Sequence, residues 1–462
     1  MMKKLFALAL MSTTIALVYA QSEETSFSAT GRGGTATSFV TDYQAIGINP
    51  ANLGFETDNA FSLGVAEFGY GLFSNALVKD DVRAILFNNE DSLTSEDQVT
   101  LARSFLNEGI TMNVDVMPIG FSLRLPKLGT FGFSIKGNMA YHTLFAGQAA
   151  NIVFEGYNYE DYIDTIIFDG STIYGVAYEP LSLGELFDDT EISLNITSEF
   201  NVAYGRKLFG STDGVSVYGG FGYKYILGLA YLDINSNDGT LNGTAALGLD
   251  IMDLQGSDTP FDITTSPYEP VGHGNGFDFG LSVKVHDGLT LGASIVDIGK
   301  MTYTANVLQI NDFTLDTIAF SGLTSTDPVQ LISDILGDPE LIAYSGIESF
   351  TVSLPTKLRL GGSIKISDML NVGVDAVFPM NDVAGAYTTP VIGVGGELTV
   401  LKVIKLSTGL SAGGGYAYNI PAGIGFDFKI WELGFATRDV LTWFGQSSPT
   451  VSFAAGVLRF KL

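Results

Sequence analysis

One pattern constrains this chain more than any other: short stretches in which every second side chain is apolar. Gly276 to Val285 is the clearest, with Phe277, Phe279, Leu281, Val283 and Val285 alternating with Asp278, Gly280, Ser282 and Lys284. Side chains of a strand point to opposite faces in turn, so this reads as one greasy face and one polar face. Lys357 to Ile366 repeats it, setting Leu358, Leu360, Ile364 and Ile366 against Lys357, Arg359, Ser363 and Lys365. Gly425 to Ile430 sets Phe426, Phe428 and Ile430 against Asp427 and Lys429, and Ile404 to Ala412 is a milder case. A soluble sandwich also alternates, with the apolar face inside.

The connections separate the two cases. Short turns at Leu125–Thr130, Gly210–Gly214, His286–Gly288, Ser367–Leu370, Lys402–Val403 and Trp431 alternate with long stretches at Phe73–Thr111, Ala146–Glu191, Leu232–Asn275 and Thr304–Phe350 and shorter ones near Asn381–Pro390, Tyr418–Ile420 and Leu441–Pro449. Tight turns at one end and long loops at the other are the layout of an outer-membrane barrel. Fourteen strands fit between residue 59 and residue 462, an even number with both ends on the short-turn side. The expectation is an all-β fold, a transmembrane antiparallel barrel. An extra hairpin within Leu232–Asn275 would change the count. In such a barrel the polar faces line the lumen, placing Asp278, Lys284, Arg359, Lys365, Asp427 and Lys429 inside. Tyr141, Tyr204, Tyr231, Tyr303, Tyr416, Tyr418, Trp431 and Trp443 fall near strand ends, where a barrel meets the water–lipid boundary. Two outer loops read as partly helical. One starts at Ser95 with Gln98 as a capping box; the other starts at Asp327-Pro328.

Composition supports export. Met1 to Ala20 has Lys3 and Lys4, a short apolar run and a small-residue cleavage site, the form of a secretory signal peptide. The expected division is 1–20 signal peptide, 21–58 N-terminal segment and 59–462 barrel. There is no cysteine, so no disulfide and no thiolate metal site. The net charge of −27 disfavours a nucleic-acid partner. Acids gather in the long loops: residues 146–191 hold ten, 232–275 seven and 304–350 seven, and none of the three stretches has a Lys or Arg. That is a solvated rim which attracts cations and repels anions.

Chemistry-bearing motifs are weak. Gly409 to Gly413 matches G-x-S-x-G, but a hydrolase needs its serine at a strand-to-helix turn, and here a strand pattern continues past Ser411. His142, His273 and His286 are too scattered to be a metal set. Asp233, Asn235 and Asn237 lack the glycine and the closing acid of a calcium loop, so Asn237-Asp238-Gly239 reads as a turn. No catalytic residue, cofactor or metal site is expected.

The stretch before the first strand fits neither a strand nor a helix. Thr30-Gly31-Arg32-Gly33-Gly34-Thr35-Ala36, then Asp42, then Asn49-Pro50-Ala51 resemble the N-terminal hatch of the FadL/TodX outer-membrane family. Bacteroidota barrels of that superfamily share it, among them the type IX secretion shuttle barrel and families of unknown function. Val296 to Gly299, followed by Met301 and Tyr303, also resembles a segment late in a strand of those barrels. The alternating last strand, ending at Leu462, is similar to the insertion signal of bacterial outer-membrane proteins. The resemblance implies a 14-stranded barrel in the outer membrane of a Gram-negative cell, plugged by a hatch containing Gly31, Gly33, Gly34, Asp42, Asn49, Pro50 and Ala51. It further implies passive uptake of hydrophobic small molecules, through the hatch region or a lateral gap. The alternative it leaves open is a non-transport barrel that partners another envelope protein in secretion or surface-protein assembly.

Overall fold

The computed structural model describes residues 25–57, 59–80, 93–170, 172–211, 214–248, 269–286, 288–323, 343–387, 389–414, 416–445 and 450–462. The expected signal peptide and the expected helix at Asp327-Pro328 lie outside the described residues.

Fourteen strands close into one antiparallel ring. They are β1 (Phe61–Ser74), β2 (Glu108–Leu125), β3 (Gly129–Phe145), β4 (Glu191–Gly210), β5 (Val215–Asn237), β6 (Gly272–Val285) and β7 (Leu289–Tyr303). Then come β8 (Phe350–Ser353 with Lys357–Lys365), β9 (Leu370–Pro379), β10 (Val391–Val400), β11 (Ile404–Gly413), β12 (Tyr416–Asn419 with Ala422–Asp427), β13 (Trp431–Thr437) and β14 (Thr450–Lys461). Each pairs with the next in sequence. β14 pairs with β1 to seal the ring, Leu63 opposite Phe460 and Phe73 opposite Thr450. Closure leaves the ring without an edge, the condition for a sheet to sit in lipid.

Alternation then decides what faces where. Phe277, Phe279 and Leu281 are exposed on the outside, while Asp278 and Ser282 are buried within. The same holds around the ring, from Phe68, Leu123 and Phe131 through Leu291, Leu360, Val394 and Leu410 to Phe435 and Phe453, all exposed. An apolar band on the outside of a closed barrel, around a polar interior, is the surface of a membrane-spanning barrel.

The long connections fold back rather than hang free. β5 runs past Tyr231 to Asn237, turns at Asp238 (φ 52°) and Gly239 (φ 68°), and returns as Thr240–Leu247. That strand pairs with Val307–Asn311, which pairs with Ala343–Gly346. The extra hairpin therefore raises the wall on one side without changing the count of fourteen. The helix Ser95–Phe105 is capped one residue earlier than expected. Thr94 Oγ1 accepts from the Asp97 amide (3.3 Å), and Asp97 Oδ2 accepts from the Thr94 amide (2.9 Å). Gln98 is turned inward instead, donating to the Leu323 carbonyl (2.9 Å), so it is unavailable as a cap.

At the long-loop end the outward side chains of β1 to β5 are covered by these folded loops in one apolar core. Leu72, Tyr141, Phe145, Leu194 and Leu232 pack with Phe105, Ile152, Phe154, Leu186, Leu315 and Ile318. Three tyrosines expected at the lipid boundary are buried instead: Tyr141 on the outward face beneath the loops, Tyr231 and Tyr303 within the lumen, ring-to-ring at 5.1 Å. Tyr231 and Tyr303 reach the lumen because register shifts, between Ile196 and Thr197 in the β4–β5 pairing and between Ile295 and Ile298 in the β6–β7 pairing, exchange the two faces of their strands. Trp431 does lie outside, stacked on Phe428 at 5.5 Å with its Nε1 donating to Val457 O (2.8 Å).

Candidate functional site in the lumen

Residues 25–57 run inside the ring and touch every strand of it. The chain enters with a single helical turn, Phe27–Gly31. Gly33 (φ 69°) and Gly34 (φ 79°) then reverse it through the left-handed region that favours glycine. Two 3-10 turns follow, Asp42–Ala45 and Pro50–Gly54, the second with Pro50 at its first position and Asn49 Oδ1 accepting from the Ala51 amide (3.2 Å).

The wall makes room for this segment with glycine. Every strand carries at least one glycine at which an added Cβ would lie within 3.2 Å of an atom of the segment, and β10 and β12 carry a second, Gly393 and Gly425. One from each strand, in order round the ring, these are Gly64, Gly120, Gly132, Gly205, Gly220, Gly280, Gly292, Gly361, Gly373, Gly395, Gly409, Gly423, Gly434 and Gly456. Many stand directly opposite one another across strands: Gly64 with Gly120, Gly205 with Gly220, Gly220 with Gly280, Gly292 with Gly361, Gly395 with Gly409, and Gly434 with Gly456. The Asn49-Pro50-Ala51 turn rests on Gly205, Gly220 and Gly280, and Phe27 fills the space over Gly434 and Gly456. Gly31 sits against Ser407 and Gly423, and Gly33 against the backbone of Leu410. The chain has 55 glycines. The missed signal was their position, at least one on the inward parity of every strand, as Gly280 stands between Asp278 and Ser282.

Polar groups fasten the segment to this girdle. Asn49 Nδ2 donates to Thr37 O (3.0 Å) and Ser282 Oγ (2.9 Å), and Ser282 Oγ donates to Asn52 Oδ1 (2.7 Å). Ser294 Oγ donates to Ile48 O (2.5 Å), and Lys136 Nζ to Ile46 O (2.9 Å). Asp375 Oδ2 accepts from the amides of Ala36 (3.0 Å) and Thr37 (2.7 Å). Arg32 pairs with Glu397 at 2.7 Å, and Tyr43 and Gln44 both donate to buried Glu67. Such charge-assisted contacts are stronger than neutral ones, and these are sheltered from water.

Asp42 has a particular partner, Arg459 of the last strand, at 2.7 Å. Arg459 also pairs with Glu432 (2.7 Å), and Glu432 holds Lys405 (2.8 Å) and Lys461 (2.5 Å), both of which reach Asp427 at 2.9 Å. A second cluster lies across the barrel. Lys224 pairs with Asp278 (3.4 Å) and with Asp297, and Asp297 pairs with Lys357 (3.5 Å).

The other expected lumen residues divide. Arg359 is fully buried inside, and Lys284 lies over the Phe55 ring at 3.8 Å, also against the segment. Lys365 ends its strand and pairs with exposed Asp368 (2.7 Å), so it sits at the rim. Lys429 stands in the exposed turn after β12 with φ 73°, beyond the last paired residue, and lines nothing. Alternation ceases to assign a face once pairing stops, which is why it misplaced Lys429; Lys365, still paired with Asn371, keeps the lumen parity but at the open rim. Ser411 is mid-strand, opposite Gly393 and Asn419, not at a strand-to-helix turn.

On the short-turn side of the segment is a polar cavity of about 210 Å³, lined by Arg32, Asp42, Arg124, Glu397, Lys405, Glu432, Arg459 and Lys461 among others. On the other side is one of about 50 Å³ between Asn138, Asn195, Glu199, Asp297, Pro355 and Lys357. Among the described residues no group of three or more His, Asp or Glu is placed to hold a metal ion.

With this geometry in place, the sequence itself matches the Family of unknown function (DUF5723) over residues 50–436. The chain belongs to that family. No curated protein matches this DUF5723 chain in sequence. Among solved structures it is similar to the P. putida toluene transporter TodX, at 13% identity and TM-score 0.45, covering 96% of this chain and 99% of that one. It is similar to the Ralstonia pickettii toluene transporter TbuX at 13% and 0.46, covering 95% and 99%. A Pseudomonas aeruginosa FadL homologue gives 10% and 0.42, covering 96% and 99%. Likeness this distant transfers no substrate to the DUF5723 chain.

Proposed function

We propose that this chain is an outer-membrane barrel for passive uptake of hydrophobic small molecules. In this reading residues 1–20 direct export, 21–58 form a hatch and 59–462 the wall. Gly31, Gly33, Gly34, Asp42, Asn49, Pro50 and Ala51 belong to the hatch. The protein is not an enzyme, and its partners are membrane lipid and an apolar solute.

The observation that carries the reading is the division of the lumen. Toward the long loops the lumen holds the apolar cluster of Ile226, Tyr231, Met301, Tyr303 and Leu354, toward the short turns a charged vestibule, and the glycine-seated segment lies between them. An apolar solute is favoured in the first and rejected by the second. A lateral way out is supported at β7 and β8. There β8 is interrupted at Leu354–Thr356, Asp297 has φ 61°, and the β6–β7 register shifts between Ile295 and Ile298.

The test pins the segment. A Cβ at Gly361 would lie 2.8 Å from the Thr37 Cβ, so cysteines at both positions come within bonding reach after a shift of less than about 1 Å. The chain has no cysteine of its own. Cells carrying Thr37→Cys/Gly361→Cys should take up a labelled monoaromatic hydrocarbon or long-chain fatty acid when reduced, and lose that uptake when oxidised. Uptake no greater than in cells lacking the barrel would overturn the transport reading. The continuous glycine seat would then favour a sealed partner barrel, recognisable by a stoichiometric complex with another envelope protein.

A further inference from the structure

The outer loops carry a small sheet that is not part of the wall. Thr165–Asp169 and Thr172–Ser182 form a hairpin turning at Gly170 (φ 67°), and Thr314–Ile318 pairs on the far side of the longer strand. Its base is anchored, with Ala177, Leu315 and Ile318 buried in the loop core. Its tip is not. Phe168 stands opposite Ile173, with Ile166 two residues away on the same face. Their exposures are 68%, 40% and 55%. These side chains stand on a loop hairpin, whereas the other apolar residues exposed in such numbers belong to the strand ring.

Thr165–Asp169 is an outer strand of this sheet, and among the described residues its free edge pairs with no strand. It contains neither lysine nor proline, the residues that usually blunt such an edge. Around it stand Asp164, Asp169 and Glu179, all exposed, within a stretch of residues 146–191 that holds ten acids and no Lys or Arg. Those charges select the occupant. A second copy would bring like charges together edge to edge, and anionic lipid headgroups would be repelled. A strand with cationic side chains would be attracted, and backbone pairing would fix its register.

We propose that this edge is a docking surface for an extended segment of a partner protein, one that alternates apolar and basic residues and adds as a fourth strand. Its apolar side chains cover Ile166, Phe168 and Ile173, and its basic ones meet the acidic rim.

The test uses the full chain in lipid nanodiscs and two short fluorescent peptides, one alternating Val and Lys, the other Val and Glu. Anisotropy should show saturable binding of the Val-Lys peptide alone. Phe168→Asp makes the rim more acidic yet removes the apolar seat, and should weaken binding about tenfold or more. Asp169→Lys should weaken it too, by removing charge at an exposed position that folding does not need. The proposal is overturned by equal binding of both peptides, or by unchanged or tighter binding to Phe168→Asp, which would mean bulk charge attraction. Self-association abolished by Phe168→Asp would name a second copy as occupant, and quenching of a dye at residue 168 by brominated lipid would name the membrane. Either result also overturns it.

Discussion

At the scale of single residues, the segment is held by contacts that can be removed one at a time. Arg459 connects Asp42 to the Glu432 cluster, and both partners are largely shielded from water. Arg459→Met leaves Asp42 shielded without its cation, a loss on the order of 3 kcal/mol. The thermal unfolding midpoint should fall, and adding Asp42→Asn should recover part of the loss in a double-mutant cycle. Gly280 and Gly288 make a sharper comparison. A Cβ at Gly280 would run into Asn49 Oδ1, whereas one at Gly288 meets nothing within 4 Å. Gly280→Ala should cost about 1–3 kcal/mol and loosen the segment, read as faster proteolysis near Asn49, while Gly288→Ala should change neither. Alternation was enough to place Asp278, Arg359 and Asp427 indoors. It could not give their partners, because Lys224 and Asp297 reach Asp278 from neighbouring strands whose register no single strand encodes. Tyr303 is inside because the register shift between Ile295 and Ile298 exchanges the faces of β7, which strict alternation does not foresee.

Elements were legible where the period was strong and the ends were not shared. Fourteen strands and their alternating connections could be counted from the pattern because each strand has to span the same thickness. What the pattern hid was irregularity. β8 is broken by Leu354, Pro355 and Thr356, and Asn381 bridges the break: its Nδ2 donates to Leu354 O (2.7 Å) and its Oδ1 accepts from the Thr356 amide (3.1 Å). Thr356 Oγ1 adds a bond to Asp297 O across to β7 (2.9 Å). Proline cannot donate to the ladder, so a side chain supplies what the backbone lacks. Asn381→Ala removes two bonds to the break while the Thr356 amide keeps its contact with Leu354 O (2.7 Å), and should cost about 1 kcal/mol. Amide exchange should accelerate at Thr356 and Lys357 while β10 and β11 stay protected. Unchanged exchange there would show that the interruption needs no bridge. The helix cap has a similar lesson. Thr94 and Ser95 are equally good caps in isolation, and the burial of Gln98 decided between them.

Over the whole molecule, one wall encloses two unlike halves. The glycine girdle was invisible to a reading of strands taken singly, since it exists only when fourteen strands are set side by side. Removing residues 28–54 leaves every wall pairing intact and empties the middle of the bore. The variant should still fold, with strand content by circular dichroism close to the parent. In planar bilayers it should conduct, while the parent is far quieter. Equal conductance would mean that the wall closes the bore without the segment.

That arrangement also imposes an order of events. Residues 25–57 lie inside a ring whose last seam is β1 against β14, the first strand after them and the last of the chain. The girdle contacts them on all sides, at separations that leave no clearance for a side chain to slide past. A completed cylinder therefore offers no route by which the segment could settle onto its seat. It has to be in place while the seam is open, with the wall wrapping round it as the two ends meet. A synthetic peptide of residues 25–57 should quiet the deletion variant when present during refolding, and have no effect when added to cylinders already closed.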